Sequence, residues 1–221
     1  MRRVIFLLVL VSSVLLAEGK VLYSLDFSKA NSSNAIEWMK KQGFEFMLDS
    51  KKLNLKIQNG RLELSTTGEK AGLFGIRLQK ELKNIGSAKI EWGVEQFPKG
   101  ANWSKKNNRL ALGAIFILGK EKFKSGMVFA KPVPYFLAPF IGQKEVVGKK
   151  YLGKLYRTAG RYYCVSNSKG LVVTKFNIAQ KFKQEFKKNT PALTAFAFQM
   201  NTDDTSGGAK AFIKKITFYS K

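Results

Sequence analysis

Along much of this chain apolar and polar residues alternate with a period of two. Leu53, Leu55 and Ile57 alternate with Asn54, Lys56 and Gln58, and after Asn59-Gly60 the residues Leu62 and Leu64 alternate with Arg61, Glu63 and Ser65. Successive side chains of a strand point to opposite faces, so the pattern predicts two half-buried strands joined by an Asn-Gly hairpin turn. Ala88, Ile90, Trp92 and Val94 alternate with Lys89, Glu91, Gly93 and Glu95, which predicts another strand with one core face. Residues 110–118 are apolar on both parities, as expected of a central strand covered on both sides. Phe196, Phe198 and Met200, then Phe212, Ile216 and Phe218, predict two closing strands separated by residues 201–208. One segment has a helical period: Ile178, Phe182 and Phe186 recur at spacing four among Lys181, Lys183, Lys187 and Lys188, and Pro191 ends the pattern. Residues 38–48 fit a short helix or a strand equally. About ten strand candidates, one helix and frequent glycine turns predict an all-β fold. The expected architecture is an antiparallel β-sandwich of jelly-roll or lectin-like type with one short helix packed on it.

The N-terminus follows a different logic. Arg2 and Arg3 precede an apolar run, residues 4–16, broken only by Ser12 and Ser13, and Ala17 offers a small residue before Glu18. This is the pattern of a secretory signal peptide over residues 1–17, and the run is shorter than the roughly 20 residues that span a bilayer. No later stretch is long and charge-free enough to span. Residues 18–221 are expected to form a single β-sandwich domain in the periplasm or outside the cell. The only cysteine, Cys164, rules out an internal disulfide and lies too far along to carry a lipid anchor. Its place after Tyr162-Tyr163 in an apolar run predicts a buried thiol.

The charge is extreme: 39 Lys and Arg face 15 Asp and Glu, a net +24, or +22 without residues 1–17. The chain has no His, which excludes Ser-His-Asp and Cys-His nucleophiles and His-ligated zinc. Of the basic residues 32 are Lys and 7 are Arg. Bidentate recognition of phosphate and bases favours Arg, no phosphate loop or RNA-binding motif is present, and an exported protein meets little nucleic acid. The expected partners are therefore a glycan or other anionic polymer of the cell envelope, with no nucleic acid, and a basic surface that also serves solubility.

Three blocks carry a resemblance. They are Trp92-x-Val94-x-x-x-Pro98-x-Gly100-Ala101, the helix from Asn177-Ile178 to Phe186, and the closing Met200-Asn201-Thr202-Asp203-Asp204-Thr205-Ser206-Gly207. In this order and spacing they resemble an uncharacterised family of exported bacterial proteins, over about residues 71–218. Asp204 and Gly207 match the family's second Asp and its Gly, while Thr202 stands where its first Asp is expected. The resemblance implies export and a lectin-like β-sandwich, and no activity.

Candidate chemistry is sparse. Asn201, Asp203, Asp204, Thr205 and Ser206 place oxygen-bearing side chains in one glycine-ended loop; these residue types build turns, and their oxygens could also hold a structural calcium ion, the one cofactor considered. Glu91 and Glu95 share a strand face at the spacing of a glycosidase acid pair, though outward charges on a solvated face have the same pattern. Tyr156 and Arg157 supply the residue types of a lyase without His. A sugar-binding surface needs exposed aromatic rings near polar groups. Trp103 lies in a polar loop with Lys105, Lys106, Asn107 and Asn108, where exposure is expected, and Tyr135, Tyr151, Tyr156 and Arg157 lie in a glycine-rich aromatic region. The tract 132–140, bracketed by prolines, fits an edge strand, a binding loop or core. The expectation is a non-catalytic exported protein that binds a glycan or anionic envelope polymer. A polysaccharide hydrolase or lyase, and a protein-binding envelope assembly or structural factor with 132–140 as its contact, are the alternatives.

Overall fold

The computed structural model describes residues 19–30, 34–125 and 130–221. The expected signal peptide lies outside them. Among the described residues thirteen strands form two sheets. The six-stranded sheet contains β1 (Val21–Asp26), β3 (Asn54–Gln58), β4 (Arg61–Thr66), β6 (Ile85–Gln96), β11 (Gly170–Phe176) and β13 (Ala209–Ser220), in the order β11-β6-β13-β4-β3. β13 pairs with β6 on one side; its other side is shared, first by β4 at residues 209–213 and then by β1 at residues 215–219. The seven-stranded sheet contains β2 (Phe44–Leu48), β5 (Ala71–Leu82), β7 (Leu110–Phe123), β8 (Val133–Ile141), β9 (Lys150–Tyr151), β10 (Gly160–Ser166) and β12 (Leu193–Asn201), in the order β2-β5-β12-β7-β8-β10-β9. Pairing is antiparallel except between β10 and β8, which run parallel.

The alternation read from the sequence becomes the core between these sheets. Leu62, Leu64, Ala88, Ile90, Trp92, Val94, Ile213, Ile216 and Phe218 of one sheet face Phe74, Ile76, Leu112, Phe116, Phe196, Phe198 and Met200 of the other, all buried. Trp92 is 0% exposed and satisfies its indole N–H by donating to Thr174 Oγ1 at 2.9 Å, so the large ring adds apolar area without an orphaned donor. The 53–66 hairpin is present, with Asn59 and Gly60 both at positive φ, as a tight type I′ turn requires.

Residues 38–48 are half helix and half strand. α1 (Ala35–Lys41) starts at Asn34, whose side chain accepts the Glu37 N–H, and ends before Gly43 at φ +89°, after which β2 begins. Among the described residues there are thus two short α-helices where one was expected. α2 (Ile178–Phe186) is capped by the Asn177 side chain on the Gln180 N–H and buries Ile178 and Phe182 in the core. The proline-bracketed tract is β8, an interior strand between β7 and β10, with Tyr135 through Ile141 all buried and Pro139 in register with Tyr163. Its prolines do not mark an edge. Among the described residues no helix is long and apolar enough to cross a membrane.

Candidate functional site

The outward face of the seven-stranded sheet is where the double apolar parity of residues 110–118 leads. Leu112, Ala114, Phe116 and Leu118 turn inward to the core. Ile115 and Ile117 turn outward and stay partly exposed, so the expectation of a strand covered on both sides is corrected. Neither helix lies over this face: α1 packs on β2 and β3, and α2 packs on β6 and β8 through core side chains.

Strand register lays the outward residues in rows. One row runs Glu45, Gly75, Ala197, Ile115, then across β8 to Ala138, Tyr162 and Tyr151. Beside it run Met47, Leu73, Gln199, Gly113, Phe140 and Cys164. On its other side lie Arg77, Ala195, Ile117, Phe136 and Gly160. Glycine and alanine keep the middle of this face low. A Cβ on Gly75 would meet the Phe196 carbonyl oxygen at 2.5 Å and the Ala197 Cβ at 2.6 Å, so this position has no room for a side chain.

At the β8-β10-β9 end the face rises into an aromatic wall. The ring of Trp103 stacks on Phe140 at 4.9 Å between centroids, meets Tyr162 at 4.6 Å and Tyr151 edge-on at 6.2 Å. Phe136 meets Tyr162 and Tyr156 edge-on at 5.6 and 6.4 Å. The rings of Trp103, Phe140 and Tyr151, with Tyr162 against them, form a second apolar cluster with Leu110 and Cys164, outside the sandwich core. Trp103 is 6% exposed and donates its indole N–H to the Arg109 carbonyl, so its expected exposure is corrected. Its polar sequence neighbours form a one-turn helix that lays the indole onto strands far away in sequence. Tyr151 is also buried, and its hydroxyl accepts the Val146 N–H. Tyr162 and Tyr156 remain partly exposed. Burial first, and the nearby Tyr156 second, push the Tyr162 phenol up to about 12. Burial also raises the Cys164 thiol, as befits an inert buried cysteine.

The other candidate residues go elsewhere. Tyr135 points to the opposite side of β8, into the core under α2, with Phe182 edge-on at 5.4 Å. Tyr156 donates its hydroxyl to the Lys131 carbonyl, and Arg157 is exposed at the base of the wall with its carbonyl accepting from Arg161. Glu91 and Glu95 lie on the outward face of the six-stranded sheet. Glu95 pairs with Arg61 at 2.8 Å, and that guanidinium also binds Glu63 and sits 4.1 Å over the Phe212 ring. In the 201–208 loop the Asn201 side chain accepts the Asp203 N–H, the Asp203 carbonyl accepts from Arg109 Nε, and the Asp204 carboxylate pairs with Arg109 Nη2. The loop carries the chain from one sheet to the other under this arginine clamp. Among the described residues no three His, Cys, Asp or Glu side chains are grouped to share a metal ion.

Two carboxylates that the sequence reading passed over organise the wall. Glu145, 3% exposed, accepts the backbone N–H groups of Trp103 at 2.9 Å, Gln143 at 2.7 Å and Lys144 at 3.0 Å. Glu185 on α2 binds Lys150 of β9 at 2.8 Å and Arg161 of β10 at 3.1 Å. Glu145 carries a visible signal: it is the only acid between Glu121 and Glu185 in a strongly basic stretch.

No family model and no curated protein sequence matches the chain. Among solved structures it is similar to the carbohydrate recognition domain of Emp46p in a potassium-bound form, at 10% identity and a TM-score of 0.49, covering 89% of this chain and 96% of that one. It is also similar to BiXyn10A CBM1 in its apo form, at 11% identity and a TM-score of 0.43, covering 91% and 99%. A variant of a family 29 carbohydrate-binding module gives 11% identity and a TM-score of 0.38 over 80% and 81%.

Proposed function

We propose that this protein is a non-catalytic binding module that takes a glycan on the outward face of the seven-stranded sheet, beside the aromatic wall. The observation that carries this reading is the row Gly75, Ala197, Ile115, Ala138 and Tyr162. It is a low aliphatic floor running across five strands, and it ends at a partly exposed aromatic ring. A sugar ring presents an apolar C–H side, which suits that floor and the edge of Tyr162, and a rim of hydroxyls, which suits Gln199 and Arg77 in the flanking rows and Glu45 at the far end of this one. The +24 charge adds a salt-sensitive attraction for an anionic polymer, and the leader-like residues 1–17 make the cell envelope the place to find one. Binding alone fits the carboxylates better than hydrolysis does, since Glu95 is held by Arg61 and the Tyr156 hydroxyl by a backbone carbonyl. The 201–208 loop reads as a turn clamped by Arg109, with the Asp204 carboxylate already paired.

The test is an amide-shift titration of the protein with neutral and anionic oligosaccharides. Shifts at Gly75, Ile115, Ala138 and Tyr162 are expected, with affinity about tenfold lower in Tyr162→Ala. Shifts absent from this face for both classes of sugar sink the reading.

A further inference from the structure

The segment between β8 and β10 exposes apolar side chains with no packing to explain them. Val146 and Val147 are 61% and 51% exposed, and Leu152 is 39% exposed. Lys144, Lys149, Lys150 and Lys154 surround them in sequence and are exposed as well. The one acid of the segment, Glu145, is turned inward onto three backbone N–H groups. What this segment shows to solvent is therefore aliphatic tips and ammonium groups, with no carboxylate among them. Lys150 is drawn aside by Glu185 of α2, and the Lys149 ammonium lies 5.7 Å from the centre of the Tyr151 ring while its residue stays exposed.

The valines are also held outward. The Lys149 N–H donates to the Val146 carbonyl at 3.1 Å and Gly148 has φ +82°, which places Val147 second and Gly148 third in a turn of type II geometry. The Gly148 N–H donates to the Cys164 carbonyl at 2.8 Å, and the Val146 N–H donates to the Tyr151 hydroxyl at 2.9 Å. A turn pinned at both ends cannot fold its side chains back onto the wall. Turn positions of this kind favour proline and small polar residues, so two branched aliphatic residues here add exposed apolar area that the turn itself does not need.

We propose that residues 144–154 dock the protein onto an anionic lipid bilayer. Val146, Val147 and Leu152 enter the boundary between headgroups and acyl chains, and Lys144, Lys149 and Lys154 lie on the lipid phosphates. A soluble polyanion would satisfy the lysines and leave the valines in water, which is why a bilayer is the partner of matching chemistry. This inference stands apart from the glycan reading: it uses a turn at the rim, and the oligosaccharide titration contains no lipid.

The experiment uses the full chain. An environment-sensitive dye on Val147→Cys reports the turn itself, so insertion of the apolar residues 4–16 cannot imitate its signal; Cys164, 0% exposed, is shielded from labelling. On vesicles of phosphatidylglycerol and phosphatidylcholine the emission is expected to shift to the blue. Phosphatidylcholine alone should leave it unshifted, and so should the mixed vesicles for the same dye on Lys83→Cys in the β5-β6 turn, at the opposite end of the sandwich from Ile141. In sedimentation with the mixed vesicles, the double variant Val146→Ser, Val147→Ser should bind at least tenfold more weakly with an unchanged melting temperature. Neutralising Lys144, Lys149 or Lys154 to Gln should cost roughly fivefold each. An unshifted dye at position 147 on vesicle-bound protein overturns the proposal, as does undiminished binding of the serine variant. Equal loss of binding to a soluble polyanion in the serine variant also overturns it.

Discussion

The backbone N–H of Trp103 donates to Glu145 Oε1 at 2.9 Å, joining two loops that lie 42 residues apart in the chain. The same carboxylate takes the Gln143 and Lys144 N–H groups on its other oxygen, so one side chain pins the two loops together. A buried carboxylate is costly unless its lone pairs are filled, and here three donors fill them. The indole it anchors is the centre of the wall, and Phe140, Tyr151 and Tyr162 are placed against it. The rim of the proposed glycan face thus depends on a residue that need not touch the ligand.

Glu145→Gln keeps the shape of this side chain and removes the second full acceptor, turning an amide NH₂ toward one set of N–H donors. Hydrogen bonds to charged groups contribute about 1.5–3 kcal/mol each, so a net loss of about 2 kcal/mol is expected after local relaxation. For a chain of this size that is a fall of roughly 4–8 °C in Tm. Amide exchange should speed up at Trp103 and Lys144 and stay slow in β6 and β13. A melting point unchanged from wild type would show that the wall stands without this carboxylate.

Tyr162 gives the wall a signature at high pH. Its folded pKa is raised to about 12 from the model-compound 10.0, because burial opposes the phenolate. A group whose folded pKa is raised contributes stability that is complete below the unfolded value and is lost as pH climbs through the folded one. The window is therefore pH 10 to 12. Deprotonation of the many lysines falls in the same range, so the comparison is with Tyr162→Phe, which shares those lysines and lacks the phenol. Wild type should lose on the order of 2 kcal/mol more than the variant between pH 10 and 12. Phenolate absorbance should show one tyrosine titrating late that is missing from Tyr162→Phe; parallel stability curves would mean that Tyr162 is solvated.

The strands were legible where burial is one-sided. Alternation at Leu62 and Leu64 or at Ile90 and Trp92 reports a face directly, and the Asn59-Gly60 turn set the hairpin register. A row of apolar residues on both parities says only that both faces are apolar, and at Ile115 and Ile117 the second face proved open rather than covered. Trp103 was misread because its neighbours in sequence are polar, whereas its burial comes from β8 and β10, elements that no local window contains. The parallel pairing of β10 with β8 is hidden for the same reason, and with it the interior position of the proline-bracketed strand. The Asn34 cap and the Glu37 that follows it were local signals for α1, available and outweighed by the strand-like Phe44 and Phe46 next to them.

Glu185 ties α2 to the strands behind the wall, and its charge is what ties it. Burial works to raise its pKa, and hydrogen bonds from Lys150 and Arg161 outweigh that and hold it below the ordinary glutamate value of 4.5. Arg161 lies 4.9 Å over the Phe186 ring as well, so the guanidinium is fixed by stacking before it meets the carboxylate. A group with a lowered folded pKa contributes stability that is present above its unfolded value and is lost as pH falls through the folded one. The contribution should therefore be complete above pH 4.5 and disappear below it. Glu185→Gln preserves the shape and removes the charge, and at pH 6 it should be less stable by about 1–2 kcal/mol, a figure kept low because Lys150 is half in solvent. At pH 3 the gap between wild type and variant should narrow, since the wild-type carboxyl is then being protonated too. A gap that stays the same at both pH values would assign the loss to packing of α2 and remove the charge from the account.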